Sequence, residues 1–278
     1  FKDKPIDSYV QVFMLLIWII GIIVIFSIIT GKEVGYFLTA MGALSAVLLL
    51  IFKDTILGFV ASIQIAANDL VRIGDWVTME KYGADGDVIE INLSTIKIQN
   101  FDKTITTIPS YNLISDSFKN WRGMAESAGR RIKRSILIST PSIRFLESGE
   151  LEKLRQIERI STYLSERTSE IDQDNQASKS DKSIAINGRN LTNLGVYRQY
   201  VENYLKTHPK ISDQLTVMCR QLPTSQFGAT PLEVYAFSVE KDWVMYEHLT
   251  ADIFDHLLSA LRYFELESYE VGSPKIRD

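Results

Sequence analysis

The side chains that most often carry chemistry in proteins are few and scattered in this chain. Its three histidines are His208, His248 and His256. The last two are eight residues apart on one predicted helix, too far to share a metal ion without further ligands. The single cysteine, Cys219, follows Met218 in a predicted strand, which favours a buried apolar role over that of a nucleophile. These residues therefore predict surface or packing roles rather than a reactive centre.

Two glycine-containing stretches resemble ligand-binding loops only in part. The stretch Asp85–Asp87 reads Asp-Gly-Asp, but the twelve-residue order of a calcium loop and its terminal Glu are absent, so a turn before a strand is favoured. Gly83 and Gly86 are not followed by a Gly-Lys-Ser/Thr sequence or a helix, which excludes a phosphate loop. The net charge of −4 argues against nucleic-acid binding. We therefore expect no enzyme, no cofactor and no metal.

The most prominent feature of the rest of the sequence is a pair of uncharged stretches near the start of the chain. Val10–Thr30 and Val34–Phe52 contain no Asp, Glu, Lys or Arg. Each has roughly the 20 apolar residues that a membrane-spanning helix needs, and the first is too long for a signal peptide and lacks its cleavage site. The sequence predicts two transmembrane helices in residues 1–52, joined by a short turn. Because residue 1 is Phe rather than Met, we expect more sequence upstream, and this hairpin to be part of an incomplete bundle.

Basic residues predict the orientation of this hairpin. An antiparallel hairpin places the chain from Lys53 onward on the same side of the membrane as residues 1–9. That side carries four basic residues: Lys2, Lys4, Lys53 and Arg72. The turn carries only Lys32. The positive-inside rule then predicts a cytoplasmic C-terminal part in a multi-pass protein, and a single cysteine fits a reducing compartment.

The second stretch differs from the first because its first half is rich in small residues: Ala40, Gly42, Ala43, Ser45 and Ala46. Small residues let helices approach closely in a membrane, so this helix is expected to pack against protein. The alternative is a span that is merely less hydrophobic. Lys53 and Asp54 follow, and apolar residues then recur at helical spacing from Ile56 onward. We predict a bend at this charged pair, with Asp54 as the N-cap of an interfacial amphipathic helix over residues 53–70.

The remainder predicts two further domains, so that the fold class is an α+β membrane protein. Residues 71–128 contain four short alternating or β-branched stretches separated by turn signals, which predict a small β-barrel. Residues 129–278 follow the order β-α-insertion-α-β-β-α-β, which predicts a ferredoxin-like α/β domain. The stretch 165–188 is polar apart from Ile171 in its first half, and we expect it to be an exposed, mobile insertion.

The segment from Lys53 to Trp121 resembles the MscS family of mechanosensitive channels. The resemblance is carried by IAANDLVRIGDWV (65–77), by GDVIEI (86–91) and by ITTIPSYNLI (105–114). The family's start of the β-domain matches Arg72, Gly74, Asp75 and Trp76. The Lys53–Asp54 pair, in place of the glycine of smaller members, resembles the miniconductance, YbdG-like branch.

This resemblance implies a homoheptamer in the bacterial inner membrane, in contact with lipids. Membrane tension would open a weakly selective pore lined by the second helix, releasing ions and small solutes during hypoosmotic shock. Ala43, Ala46 and Leu50 follow one another at i, i+3 and i+7, and a ring of Leu50 side chains would block ions by dewetting. The alternative is that Val47 or a deeper residue lines the pore.

Two other functions remain possible from the sequence. The spans could tether a cytoplasmic scaffold or signalling module that has no pore activity. A plain tether, however, needs neither a small-residue face nor an amphipathic continuation. A transporter is disfavoured because the two visible spans carry no charge within the membrane.

Overall fold

The computed structural model describes residues 6–224 and 228–270, with side chains from residue 10 onward. The chain forms two compact units, Phe1–Trp121 and Arg122–Asp278. Lys2 and Lys4, which contribute to the predicted orientation, lie outside the described residues.

The first unit begins with the two predicted apolar helices, α1 (Ile6–Thr30) and α2 (Val34–Ala67). Both are long and apolar enough to cross a membrane. They are joined through Gly31, whose φ of +66° is a conformation that favours glycine. The prediction of two apolar helices joined by a short turn is therefore confirmed.

Helix α2 corrects the predicted bend. It runs unbroken for 34 residues, so Lys53 and Asp54 lie in its interior and Asp54 does not cap a new helix. The predicted helix break and the separate helix over residues 53–70 are wrong. An Asp in a helix interior costs about 0.7 kcal/mol at most relative to Ala, whereas Pro costs about 3 kcal/mol. The charged pair therefore destabilises the helix by less than the loss of backbone hydrogen bonds at a break would.

A five-stranded antiparallel sheet with one short helix completes the first unit. Its strands are β1 (Trp76–Met79), β2 (Ala84–Ile91), β3 (Thr95–Asn100), β4 (Ile105–Pro109) and β5 (Lys119–Asn120). The helix, α3 (Ser110–Ser115), lies between β4 and β5. Alternate residues of these strands point inward, and Val77, Met79, Val88, Ile96 and Ile98 form the core of this domain.

The four predicted strands are present, but the predicted barrel is not closed. The strand order is β4-β3-β2-β1-β5, so within the described residues the sheet has two free edges. Closure needs mutually consistent strand tilt and stagger around the whole sheet. The fifth strand, which the sequence did not predict, has only two residues, too few to pair along β4.

The second unit places a three-stranded sheet against helices. After α4 (Arg122–Glu126), its elements are β6 (Arg130–Ser139), α5 (Ser148–Arg155), α6 (Glu158–Ala177), α7 (Asn193–Lys206), β7 (Met218–Gln221), β8 (Ala229–Ser238) and α8 (Trp243–Ala260). The sheet order is β6-β8-β7, and β8 is antiparallel to both neighbours. Strands β6 and β7 are therefore parallel to each other, as in a split βαβ unit.

The predicted ferredoxin-like fold would add a fourth strand beside β6. Ser268 forms an isolated antiparallel bridge with Ile138, and Val271, the last residue of the predicted strand, lies outside the described residues. The complete ferredoxin-like arrangement therefore stays a prediction. Cys219 is buried in this unit, as predicted, and burial raises the pKa of its thiol to about 12.

The predicted insertion is helical in its first half. Helix α6 continues to Ala177, and Ile171 and Asn175 on it are buried. The expectation of an exposed, mobile insertion did not include this helix or its two buried residues, and the mobility of the segment stays a prediction. This part of the helix has no apolar stripe that would reveal it in the sequence. It is supported instead by one buried apolar residue, Ile171, and by ion pairs such as Arg167–Glu170.

A cluster of aromatic and imidazole rings joins α7 to α8. His256 stacks on Tyr204 with ring centroids 4.3 Å apart, and its Nε2 lies 2.7 Å from the hydroxyl of Tyr200. The ring of His208 lies edge-on to that of Tyr204, with centroids 5.7 Å apart. Burial lowers the pKa of both histidines below the ordinary value of 6.5, and the positive charge of Arg159 lowers it further.

These lowered pKa values predict a loss of stability in acid. A histidine whose pKa is depressed by folding binds fewer protons in the native state than in the unfolded state between its two pKa values. The stabilising contribution is complete above pH 6.5 and is lost as the pH falls through the folded pKa values. We expect thermal unfolding of this unit to shift to lower temperature between pH 7 and pH 5. In His208→Gln/His256→Gln the shift should shrink, and an unchanged shift would contradict the assignment.

Candidate pore helix and the β-domain that holds it

The apolar part of α2, residues 34–52, presents the predicted pore residues on one narrow face. At about 100° per residue, Ala43, Ala46 and Leu50 fall within about 60° of one another around the helix. Leu50 is 75% exposed in the single chain. Apolar side chains are exposed all around this part of the helix, so lipid or other protein must cover it. Which face lines a pore stays a prediction.

The charged pair marks the change from this exposed stretch to a buried one. Asp54 lies one helical turn before Gly58 and on the same face, and Lys53 lies about 100° away from it. Both side chains are exposed. The pair therefore lies in the helical turn that precedes the contact between α2 and the β-sheet domain.

The last third of α2 packs against the turn between β2 and β3. Gly58, Ala61 and Ile65 are buried at i, i+3 and i+7. A Cβ atom on Gly58 would lie 3.2 Å from the Cα of Ser94, so glycine permits a close approach of the two backbones. The hydroxyl of Ser62 lies 2.6 Å from the carbonyl oxygen of Leu93, to which it donates a hydrogen bond. We call residues 58–65 together with the turn 92–94 the helix seat.

Ser62→Ala should loosen the helix seat without unfolding the domain. The change removes the donor to Leu93, and a typical hydrogen bond contributes about 1 kcal/mol. We expect amide exchange in the turn 92–94 to rise by roughly fivefold. Ser45→Ala, at an exposed position in the apolar part of the same helix, is the control. Equal exchange in both variants would contradict the role of this hydrogen bond.

The chain between α2 and β1 is held by a buried carboxylate. The Asp75 side chain is nearly buried, and its Oδ2 accepts hydrogen bonds from the backbone N–H of Arg72 at 2.8 Å and from Nδ2 of Asn120 at 2.9 Å. Asn120 also donates to the carbonyl oxygen of Leu70 at 3.0 Å. Arg72 forms a two-pronged ion pair with Asp69, with distances of 2.7 and 2.5 Å. Together these contacts fix the turn that follows the helix.

Gly74 lies in this turn because the backbone there requires it. Its φ is +91°, a value that side chains other than glycine rarely adopt. Its N–H donates to the carbonyl oxygen of Val88 at 2.8 Å, and the N–H of Val88 donates back to Asp75 at 2.9 Å. The turn is thereby tied to β2.

Trp76 is the centre of an aromatic stack on the sheet. Its ring lies parallel to that of Trp121, with centroids 4.3 Å apart, and edge-on to Phe101. The Nε1 of Trp76 donates to Asp85, as does the hydroxyl of Thr78, at 2.9 and 2.7 Å. Asp85, part of the Asp-Gly-Asp stretch, thus has a structural role.

The structure brings Arg72, Gly74, Asp75 and Trp76 together at the start of the β-domain. Asn120 and Trp121, which complete this cluster, were not singled out from the sequence, since nothing in their local pattern marks them. The helix seat also went unrecognised, although the small residues Gly58 and Ala61 at helical spacing were a usable signal. Among the described residues, no group of three His, Cys, Asp or Glu side chains could hold a metal ion.

One known protein family matches the segment that contains the helix seat and the turn around Gly74. Residues 54–123 match the family model of the mechanosensitive ion channel β-domain. The matched segment begins at Asp54, inside α2, and ends just after Trp121. The matched segment therefore includes the C-terminal part of the apolar helix together with the sheet.

Curated relatives are similar over the same part of the chain. A small-conductance mechanosensitive channel of Methanocaldococcus jannaschii is 32% identical over 117 residues, which are 42% of this chain and 32% of the relative. An uncharacterised MscS family protein of Helicobacter pylori is 26% identical over 136 residues, 49% of this chain and 21% of the relative. The chain thus spans a third or less of the length of these relatives.

Solved structures share the fold over nearly the whole chain. Arabidopsis thaliana MSL1 has a TM-score of 0.59 at 12% identity, covering 96% of this chain and 76% of MSL1. Helicobacter pylori MscS in a closed state has a TM-score of 0.54 at 15% identity, covering 100% and 87% of the two chains. The family model and the curated relatives support the resemblance to the MscS family, and the solved structures support the fold. The assignment to the miniconductance branch stays a prediction.

Proposed function

We propose that this protein is a mechanosensitive ion channel in which α2 lines the pore. The observation that carries the proposal is the match of residues 54–123 to the mechanosensitive-channel β-domain, at the place where an apolar helix is seated on that domain. The similarity to mechanosensitive channels among the curated relatives points to the same function. The anchored-scaffold alternative gains no support, since a plain tether has no need of a helix seat.

In the proposed channel, copies of α2 surround a central axis, with Ala43, Ala46 and Leu50 facing it. Alanines at two of these positions let neighbouring helices approach closely. A ring of Leu50 side chains then forms an apolar constriction that excludes water and ions. Membrane tension opens the pore because it favours the state with the larger area in the membrane plane. Uncharged spans predict weak selectivity among ions and small solutes.

The assembly and location follow from the same proposal. We infer a homoheptamer, a miniconductance-type channel, in the inner membrane of a bacterium, with lipids around the helices and the α/β unit in the cytoplasm. Among the described residues the sheet of the single chain ends at β4 and β5, and neighbouring copies can cover such edge strands. Release of solutes during hypoosmotic shock would be its role in the cell.

Current under tension tests this proposal. The full chain is reconstituted into liposomes, and patches are held at a fixed voltage while suction is increased. We expect discrete current steps above a threshold tension, with small differences between cation and anion permeability. Protein-free liposomes are the control. Absence of tension-gated current from the wild-type chain and from Leu50→Ser alike would overturn the proposal.

A further inference from the structure

The loop between α6 and α7 is pinned to the end of α6. Asn175 is buried, its Oδ1 accepts a hydrogen bond from the N–H of Arg189 at 2.7 Å, and its Nδ2 donates to the Arg189 carbonyl oxygen at 3.0 Å. Gly188, with a φ of +72°, lies so close that a Cβ atom would come within 2.3 Å of Asn175 Oδ1. The loop therefore returns to the last turn of α6 at a defined point.

Polar contacts inside the loop hold its far end as well. Lys182 Nζ donates to Asn190 Oδ1 at 2.5 Å and to the Arg189 carbonyl oxygen at 3.1 Å. Asn190 Nδ2 donates to the carbonyl oxygen of Ala185. Asp181 accepts a hydrogen bond from the N–H of Ser183 at 2.9 Å. These contacts define the path of the loop.

Two isoleucines project from this loop into solvent. Ile184 is 59% exposed and Ile186 is 74% exposed, although the loop around them is otherwise polar. Contiguous exposed apolar surface marks interaction sites more often than singly scattered apolar residues do. We call residues 184–186 the loop tip.

A cavity of about 360 Å³ lies at the opposite end of α6. Its lining is mainly aromatic and aliphatic: Ile157, Tyr200, Ala260, Tyr263 and Phe264, with His256, Ser259 and Arg262. Ile157 is the residue that immediately precedes α6. The cavity suits branched aliphatic side chains, because most of its walls offer dispersion contacts and few hydrogen bonds.

The loop tip and the cavity of one chain are too far apart to meet. Asn175 and Ile157 are separated by about 27 Å of helix, and Ile186 is only two residues from Gly188, at most about 7 Å along the chain. A second copy has no such restriction. A surface that fits a different surface on an identical chain makes a heterologous contact, which closes into a ring when the rotation allows.

We propose that the loop tip of one copy inserts into the cavity of the next copy, with Ile184 and Ile186 covered by Tyr263 and its neighbours. The contact joins adjacent α/β units head to tail. It rests on the self-association included in the proposed function, but it is tested without any measurement of current.

Disulfide cross-linking of the full chain in detergent tests this contact. The double variant Ile186→Cys/Tyr263→Cys is treated with a mild oxidant at neutral pH and run on denaturing gels. Both positions are exposed, so the fold should be kept, and thermal unfolding checks this. Cys219 can remain, because its buried thiol is not ionised at that pH. We expect a ladder of cross-linked species that extends beyond the dimer.

Three control variants test whether the cross-linked ladder reports the proposed contact. In a heterologous contact, Ile186→Cys alone and Tyr263→Cys alone should yield little dimer. Leu137 is exposed on the strand face opposite the buried Ile136 and Ile138, so Ile186→Cys/Leu137→Cys should give at least tenfold less product. A dimer from a single variant, a ladder equal to that control, or no ladder would overturn the contact. Tension-gated current without a ladder would overturn the contact alone, whereas a ladder without current would overturn only the channel.

Discussion

Leu50→Ser should open the pore at a lower membrane tension than the wild-type chain. In the proposed closed state, a ring of Leu50 side chains keeps water out of the constriction. Serine has a hydroxyl that binds water. Each replacement lowers the free energy gained by keeping water away from the side chain by up to about 2 kcal/mol. The effect is repeated in every copy around the ring. The threshold suction for current in liposome patches, relative to the wild-type chain, measures it.

Leu49→Ser is the matched control for this prediction. Leu49 carries the same side chain, is also exposed in the single chain, and points about 100° away around α2. Its threshold should remain near that of the wild-type chain. Equal shifts in both variants would place the constriction elsewhere. A larger shift in Val47→Ser than in Leu50→Ser would favour the alternative in which Val47 lines the pore.

Gly86→Ala should disrupt the β-domain. A Cβ atom on Gly86 would lie 2.0 Å from the carbonyl oxygen of Gln99 and 2.7 Å from the Cα of Asn100. Both atoms belong to the backbone of β3, which pairs with Gly86 in the sheet, so no side-chain rotation relieves the clash. Overpacking costs about 1–3 kcal/mol and occasionally more, and a backbone clash of this size belongs at the upper end or above.

Thermal unfolding in detergent, followed by tryptophan fluorescence, measures this loss. Trp76 and Trp121 stack within this domain, so their emission reports on it. Gly123→Ala is the control, because nothing lies within 4 Å of the added methyl group and its backbone is helical. We expect Gly123→Ala to be neutral or slightly stabilising. A Gly86→Ala variant as stable as this control would contradict the close strand pairing.

The parts of the fold that sequence reasoning recovered are those with a strong repeating pattern. The uncharged stretches after Val10 and Val34 fixed the two apolar helices, because few soluble helices lack charge over such a length. Alternation in β1 to β4 fixed the strands. The motif around Gly74 and Asp75 was recognisable because an unusual backbone angle and a buried carboxylate constrain the residue types there.

The parts that sequence reasoning did not recover depend on contacts between distant residues. Lys53 and Asp54 suggested a boundary because of their charge, but charge alone does not end a helix when the flanking residues favour it. Strand β5 is two residues long and exists through pairing with β1. The second half of α6 is polar, and Asn175 is buried by the loop that returns at Arg189. No local pattern encodes such contacts.

The unbroken course of α2 has a mechanical consequence. At 34 residues the helix is about 51 Å long, roughly 20 Å more than the thickness of the hydrocarbon layer. Its last third is buried at Gly58, Ala61 and Ile65, and no break separates this part from the apolar part of the helix. Tilting a helix of this length by about 10° moves its far end by roughly 9 Å. In the proposed channel, a small change in the tilt of α2 would therefore move the opposite end of the helix by a large distance.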